Sequence, residues 1–185
     1  LKVLERDAQR LGANLTPNLL TYLVQRVAFS YGEAYQVLEQ CSLYPKPITE
    51  QVIQAMVPQK IEASVFDLIT AIYHGRLEQA LALYHHLLAE GTEPIMILSL
   101  MIGQARLLLQ VALLRQRGLQ QGEIAARLTV HPYRIKLAYQ MGQRFKSQQL
   151  AQFIMALIEL DYQIKTGQLD KETALELQLI RLTAK

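Results

Sequence analysis

His85 and His86 are the first side chains to test for chemistry, because adjacent imidazoles invite a metal ion. Neighbours on a helix point about a hundred degrees apart, so the two cannot hold one ion together. No histidine or carboxylate partner recurs three or four residues away in a metal-binding pattern, and surface or packing roles follow. Cys41 is the single cysteine. It excludes an internal disulfide framework, fits a reducing, cytoplasmic compartment, and reads as a buried apolar thiol. There is no glycine-rich phosphate loop with its lysine, and no Ser/His/Asp or Cys/His arrangement that local sequence supports. The nine tyrosines, with no tryptophan, sit at helix-core positions and form no stacking platform. The sequence therefore predicts no catalytic residue, no metal site and no cofactor.

Two other constellations carry charge. From Gly122 to Lys136 a short helix, a tight turn and a second helix with basic residues have the layout of a helix-turn-helix DNA reader. Arg127, His131, Arg134, Lys136, Arg144 and Lys146 fall with no acid between Glu123 and Glu159. The second helix opens Pro132-Tyr133-Arg134 and continues with Ile135, Leu137, Ala138 and Tyr139, which demand burial. A helical hairpin with a basic exposed side fits that pattern better than a base reader, and diffuse phosphate contact needs only the charge. The second constellation is Asp161 with Lys165, spaced i,i+4 beside the stripe of Leu157 and Ile164. Asp161 has two candidate partners: Arg106, in a half-buried pair within an otherwise apolar helix, or Lys165 in a solvated local pair.

The elements that must position these residues are all helices. No run alternates at period two for long enough to be a strand, and the fold class is all-α. Residues 1–57 read as a small helical unit. Thr16-Pro17 is a capping side chain followed by proline at the first helical position, and Thr49 caps a short helix through Val52, Ile53 and Met56. Pro58-Gln59-Lys60 is the expected linker, and residues 61–185 are a second unit. Within it, Val65–Gln110 reads as three helices punctuated at Gly75 and Gly91, the third opening at Pro94. That third helix has apolar residues on more than one face, so it must be surrounded. A helix from about Pro132 to Phe145, a long one from Ser147 to Thr166-Gly167 and a last one capped by Asp170 complete the unit.

Half of the 185 residues are hydrophobic, yet no uninterrupted apolar run is long enough to cross a bilayer. No signal peptide is visible, since Leu1 opens directly into a charged amphipathic pattern. The absence of an initial methionine suggests a fragment of a longer protein. A formal net charge of +3 does not by itself argue for nucleic acid.

Phe66-Asp67-Leu68 leading to Ala71-Ile72, Gly75 and Gln79-Ala80-Leu81 resembles the delta subunit of the bacterial DNA polymerase III clamp loader. So do Leu87 to Pro94, then Ile97-Leu98 and Gln104-Ala105-Arg106. Ile124-Ala125 to Val130-His131-Pro132 with Ile135-Lys136, and Asp161 to Gly167 with Ala174-Leu175-Glu176, are similar to the family's later segments. Ile48-Thr49-Glu50 with Val52 is similar to its entry into the last lid helix. Glu39-Gln40-Cys41 departs from the family pattern, which more often has a lysine and a leucine after the glutamate. The order and spacing of these motifs carry the resemblance over nearly the whole chain.

The resemblance implies a helical AAA+-type lid over 1–57 and a helical-bundle collar over 61–185. The collar would pack against the ATPase subunits and delta-prime. The sliding clamp would be met by an N-terminal domain outside these residues. DNA would be met indirectly or through weak non-specific contacts, with no role for a membrane. It also implies a non-hydrolysing member of a polymerase holoenzyme. The competing expectation is a helix-turn-helix regulator built on residues 122–137.

Overall fold

The computed structural model describes residues 2–27, 30–45, 47–57, 61–142 and 146–184. Among them every regular element is an α-helix, as the absence of period-two runs predicts. The chain divides into two compact units, Leu1–Ala63 and Ser64–Lys185. Residues 58–60, the expected linker, lie outside the described residues.

The first unit contains α1 (Lys2–Leu11), α2 (Pro17–Arg26), α3 (Tyr31–Ser42) and α4 (Glu50–Met56). The Thr16 Oγ1 accepts the Leu19 N–H at 3.3 Å and the Thr49 Oγ1 accepts the Val52 N–H at 3.4 Å. Each cap satisfies an amide that the first helical turn leaves without a partner. Leu20, Leu23, Leu38 and Ile53 form the fully buried centre. Cys41 is buried beside them, its Sγ 4.0 Å from the Met56 Sδ, and burial pushes its thiol up from the ordinary range. An inert apolar thiol is the consequence.

The second unit is built from α5 (Ile61–Tyr73), α6 (Leu77–Ala89), α7 (Pro94–Gln116), α8 (Gln121–Leu128), α9 (Pro132–Gly142), α10 (Ser147–Lys165) and α11 (Lys171–Thr183). The first turn of α5 belongs to the preceding unit. The expected extension of α9 to Phe145 lies outside the described residues. Gly91 stops α6 at φ +82°, and the Thr92 N–H reaches back to the Leu87 carbonyl at 3.0 Å. That left-handed turn is where glycine avoids the Cβ clash. It redirects the chain into Pro94 at the start of α7.

At 23 residues α7 is the longest helix, and α8, α9, α10 and α11 all pack on it. By length and composition it could cross a membrane. Its Ile97, Leu98, Met101, Ala105, Leu108 and Val111 are instead buried in the middle of the bundle, which makes it a core helix. Tyr84 of α6 is likewise buried, and its hydroxyl donates to the Glu172 carbonyl of α11 at 3.1 Å. Burial first, then the negative charges of Glu172, Glu176 and Asp170, push the phenol up to about 12.

Tyr84→Phe should cost about 1 kcal/mol at neutral pH, the net worth of one hydrogen bond. The advantage shrinks in alkali. A phenol raised in the folded state contributes its stability fully below pH 10 and loses it as the pH climbs towards 12. Urea unfolding at pH 7 and pH 11 should show the gap between wild type and Tyr84→Phe narrowing. A gap that stays constant would mean the phenol is solvated in the fold.

Candidate functional site

Because α7 has no dominant apolar side, its exposed face is set by its neighbours. Met96, Ser99, Gly103, Arg106 and Gln110 are exposed, at spacings of three, four, three and four, so they form one stripe along the helix. Leu100 and Leu107 flank the stripe on one side, and Ile102 and Leu109 on the other, all half-buried. Gly103 lies mid-helix, where glycine is worse than alanine by roughly 1 kcal/mol. A Cβ built there would meet nothing within 4 Å. Nothing among the described residues requires a glycine at that position.

Arg106 stands on this stripe, exposed. This corrects one of the two pairings expected for Asp161: Arg106 makes no ion pair with it among the described residues. The Lys165 Nζ instead donates to the Asp161 Oδ2 at 2.7 Å, with the lysine side chain 57% and the aspartate side chain 22% exposed. The other Asp161 oxygen, Oδ1, is buried and has no hydrogen-bond partner among the described residues. The segment around the pair is a helix terminus. The Thr166 hydroxyl donates to the Tyr162 carbonyl at 2.8 Å, Gly167 turns left-handed at φ +74°, and the Gln168 N–H closes on the Gln163 carbonyl at 2.9 Å. Lys165 in the last turn suits the negative end of the helix dipole. The stretch Asp161–Gly167 therefore ends α10 and opens the turn into α11, whose first amides Asp170 caps through the Thr173 N–H at 3.0 Å.

The basic residues collect around the C-terminal end of α7. Arg127, Lys136 and Lys146 are exposed and Arg134 is half-buried; Arg144 lies outside the described residues. Ile135 and Ala138 turn α9 onto the core. Arg115 stands in the last turn of α7. It stacks its guanidinium 5.5 Å from the centre of the Tyr139 ring, a contact that no local sequence pattern signals. Thr129 ends α8 in a left-handed conformation, φ 54° and ψ 38°, where a β-branched side chain is unfavourable.

The histidines need one correction. Glu90 does stand four residues after His86, and its Oε1 lies 3.5 Å from the Nε2. His85 contacts Glu176 of α11 at 3.1 Å instead. The two rings thus serve different carboxylates, and no group of three potential metal ligands converges among the described residues.

Comparison with known proteins says to which family this all-α bundle belongs. The family model described as the DNA polymerase III delta subunit, C-terminal domain, matches residues 62–182, and the chain belongs to that family. A relative, the DNA polymerase III subunit delta of Bacillus subtilis (strain 168), is 36% identical over 135 residues, 73% of this chain and 39% of the relative. The solved Bacillus subtilis DNA clamp loader delta protein (YqeN) superposes with a TM-score of 0.88 at 29% identity, over 100% of this chain and 55% of that one. This chain thus spans about two-fifths to half of the relatives it matches. These likenesses do not favour the helix-turn-helix regulator.

Two substitutions probe the local geometry. A double-mutant cycle on Asp161→Ala and Lys165→Ala should give a coupling of about 0.5 kcal/mol or less, as for other solvent-screened i,i+4 pairs. Arg106→Ala should add to Asp161→Ala without coupling. Coupling above 1 kcal/mol between Arg106 and Asp161 would restore the discarded pair. Thr129→Gly should raise the urea midpoint, stabilising the fold by about 0.5–1 kcal/mol as the left-handed strain outweighs glycine's entropy. A lower midpoint would show that the threonine side chain holds the turn.

Proposed function

We propose that this chain is the non-catalytic scaffold segment of a clamp-loader delta subunit, supporting the loading of a sliding clamp onto primed DNA in the bacterial cytoplasm. The second unit is read as a collar that packs against the ATPase subunits and delta-prime, and the first as the helical lid of an AAA+-like module. The sliding clamp itself would be met by a part of the subunit outside these residues. Family membership supports the class, and the stripe on α7 carries the role. Ser99 and Gly103 let another helix approach closely, while Leu100, Leu107, Ile102 and Leu109 stand on either side to pack around it. Small residues at the seam with larger apolar ones beside it suit close helix–helix packing. Arg106, a lone cation on that face, is placed to meet a carboxylate of the partner. Arginine at the centre of an interface is a frequent energetic anchor.

Size-exclusion of the chain mixed with the ATPase subunits of its own loader tests the reading. A complex should form at micromolar concentration, and its absence overturns the scaffold assignment. Gly103→Ala discriminates further. It should stabilise the isolated chain by about 0.5–1 kcal/mol, since the new methyl meets nothing and helix propensity rises. It should also weaken the complex at least tenfold, about 1.4 kcal/mol. Leu100→Glu with Leu107→Glu should abolish the complex while circular dichroism stays unchanged. Full assembly by either variant would move the joint away from α7.

A further inference from the structure

Residues 115–146 hold seven of the chain's 19 lysines and arginines and one of its 16 acids. Three contacts gather this segment at one end of the second unit. The Gln116 Nε2 at the end of α7 donates to the Ser147 Oγ at the start of α10, at 3.3 Å. The Arg115 guanidinium lies over the Tyr139 ring of α9. A Cβ placed on Gly142 would lie 3.9 Å from the Ala112 Cβ. The C-terminal turns of α7, the whole of α9 and the first turn of α10 are therefore neighbours, with α8 packed on both α7 and α9.

The fold makes no ion pair with four of these charges among the described residues. Arg115 is engaged with Tyr139, but Arg117, Arg127, Arg134 and Lys146 form no ion pair with a described residue. Elsewhere in the same unit Lys165 and Lys171 each meet a carboxylate, on Asp161 and Glu93. Like charges gathered without acids repel one another and weaken the compact state, so the gain must come from an external polyanion. The chemistry of the surface says which. None of the exposed large hydrophobic residues among those described falls between residues 114 and 154. A protein partner would need an apolar centre to desolvate, and among the described residues this end offers only Leu113, at its edge. A phosphate backbone needs cations and polar donors, and exposed Gln120, Gln121, Gln140 and Gln148 stand among the cations.

We propose that this end of the second unit is a sequence-independent binding surface for the phosphate backbone of nucleic acid, through Arg117, Arg127, Arg134, Lys136 and Lys146. It is independent of the joint on α7, because its residues lie outside that stripe. Phosphate contact carries register and affinity but no base information, so this surface is not the regulator set aside above.

Fluorescence anisotropy of the full chain against labelled duplexes of two unrelated sequences, between 50 and 200 mM salt, tests it. With about four phosphates neutralised, the slope of log K against log salt should be about −3.6, a loss on the order of a hundredfold across that range. The two duplexes should bind equally. Arg127→Ala with Lys146→Ala should weaken binding to both and reduce the slope by about 2, while Arg181→Ala on α11, an exposed cation outside this surface, should change neither. A flat salt dependence overturns the proposal. So does a slope indifferent to the double variant in a protein whose circular dichroism is intact, or a tenfold preference for one duplex. Equal affinity for polyglutamate or for phosphatidylglycerol vesicles would also overturn it, by showing a general polyanion surface.

Discussion

The second unit depends on one constraint: α7 is apolar around most of its circumference, and those apolar faces must be covered. Burial of apolar surface contributes about 25 cal/mol per Å², so a long helix of this kind organises whatever packs on it. Helices α8, α9, α10 and α11 supply that cover along one side. Tyr84 then ties α6 to the start of α11 by a hydrogen bond that its burial makes expensive to lose. Even the Asp161–Gly167 stretch serves this end, since it stops α10 and returns the chain as α11 to the same helix. What the second unit does not supply, among its described residues, is cover for the stripe from Met96 to Gln110.

Three local costs in this unit fall outside its apolar core. Gly103 weakens a helix with no compensating internal contact, Thr129 holds a left-handed conformation, and Asp161 keeps one oxygen buried and unbonded. By contrast, Ile97, Leu98, Met101 and Leu157 are fully enclosed and sit in regular helices. Proteins tend to be locally consistent where only stability matters and to depart from consistency where another demand is present. Gly103 and Thr129 lie respectively on the proposed joint and beside the basic end, so two of the three departures coincide with the two surfaces assigned a partner. Asp161 is the third, and its account is local: it pairs with Lys165 where α10 ends.

Much of the fold was legible in the sequence because helix boundaries are written in few residues. Thr16, Thr49 and Asp170 cap as their types predict, and Pro94 opens its helix. The core positions on α10 followed from spacing alone, since that helix is amphipathic and its phase is unambiguous. The facing of Arg106 was not legible for the opposite reason. A helix apolar on most sides has no phase of its own, so whether a cation points inward or outward is decided by neighbours distant in sequence. Half-buried pairing with Asp161 and full exposure were equally consistent with the pattern. Arg115 over Tyr139 was hidden too, because the partners lie on different helices and nothing local links them. The vacancy beside Gly103 is a property of the packed fold and cannot be read from a glycine in a string.

The two surfaces share one helix yet answer to different physics. From Gly103 to Arg117 is 14 residues, about 21 Å at the rise of an α-helix. That is more than two Debye lengths at physiological salt, about 8 Å each, so the charges at the basic end are largely screened from Gly103. Packing around Gly103 rests on close approach and apolar burial, which salt does not weaken. Contact with a phosphate backbone rests on counterion release, which salt weakens steeply. The helix that organises the bundle can thus join a neighbour at its middle and hold a polyanion at its end, with neither interaction fixing the strength of the other.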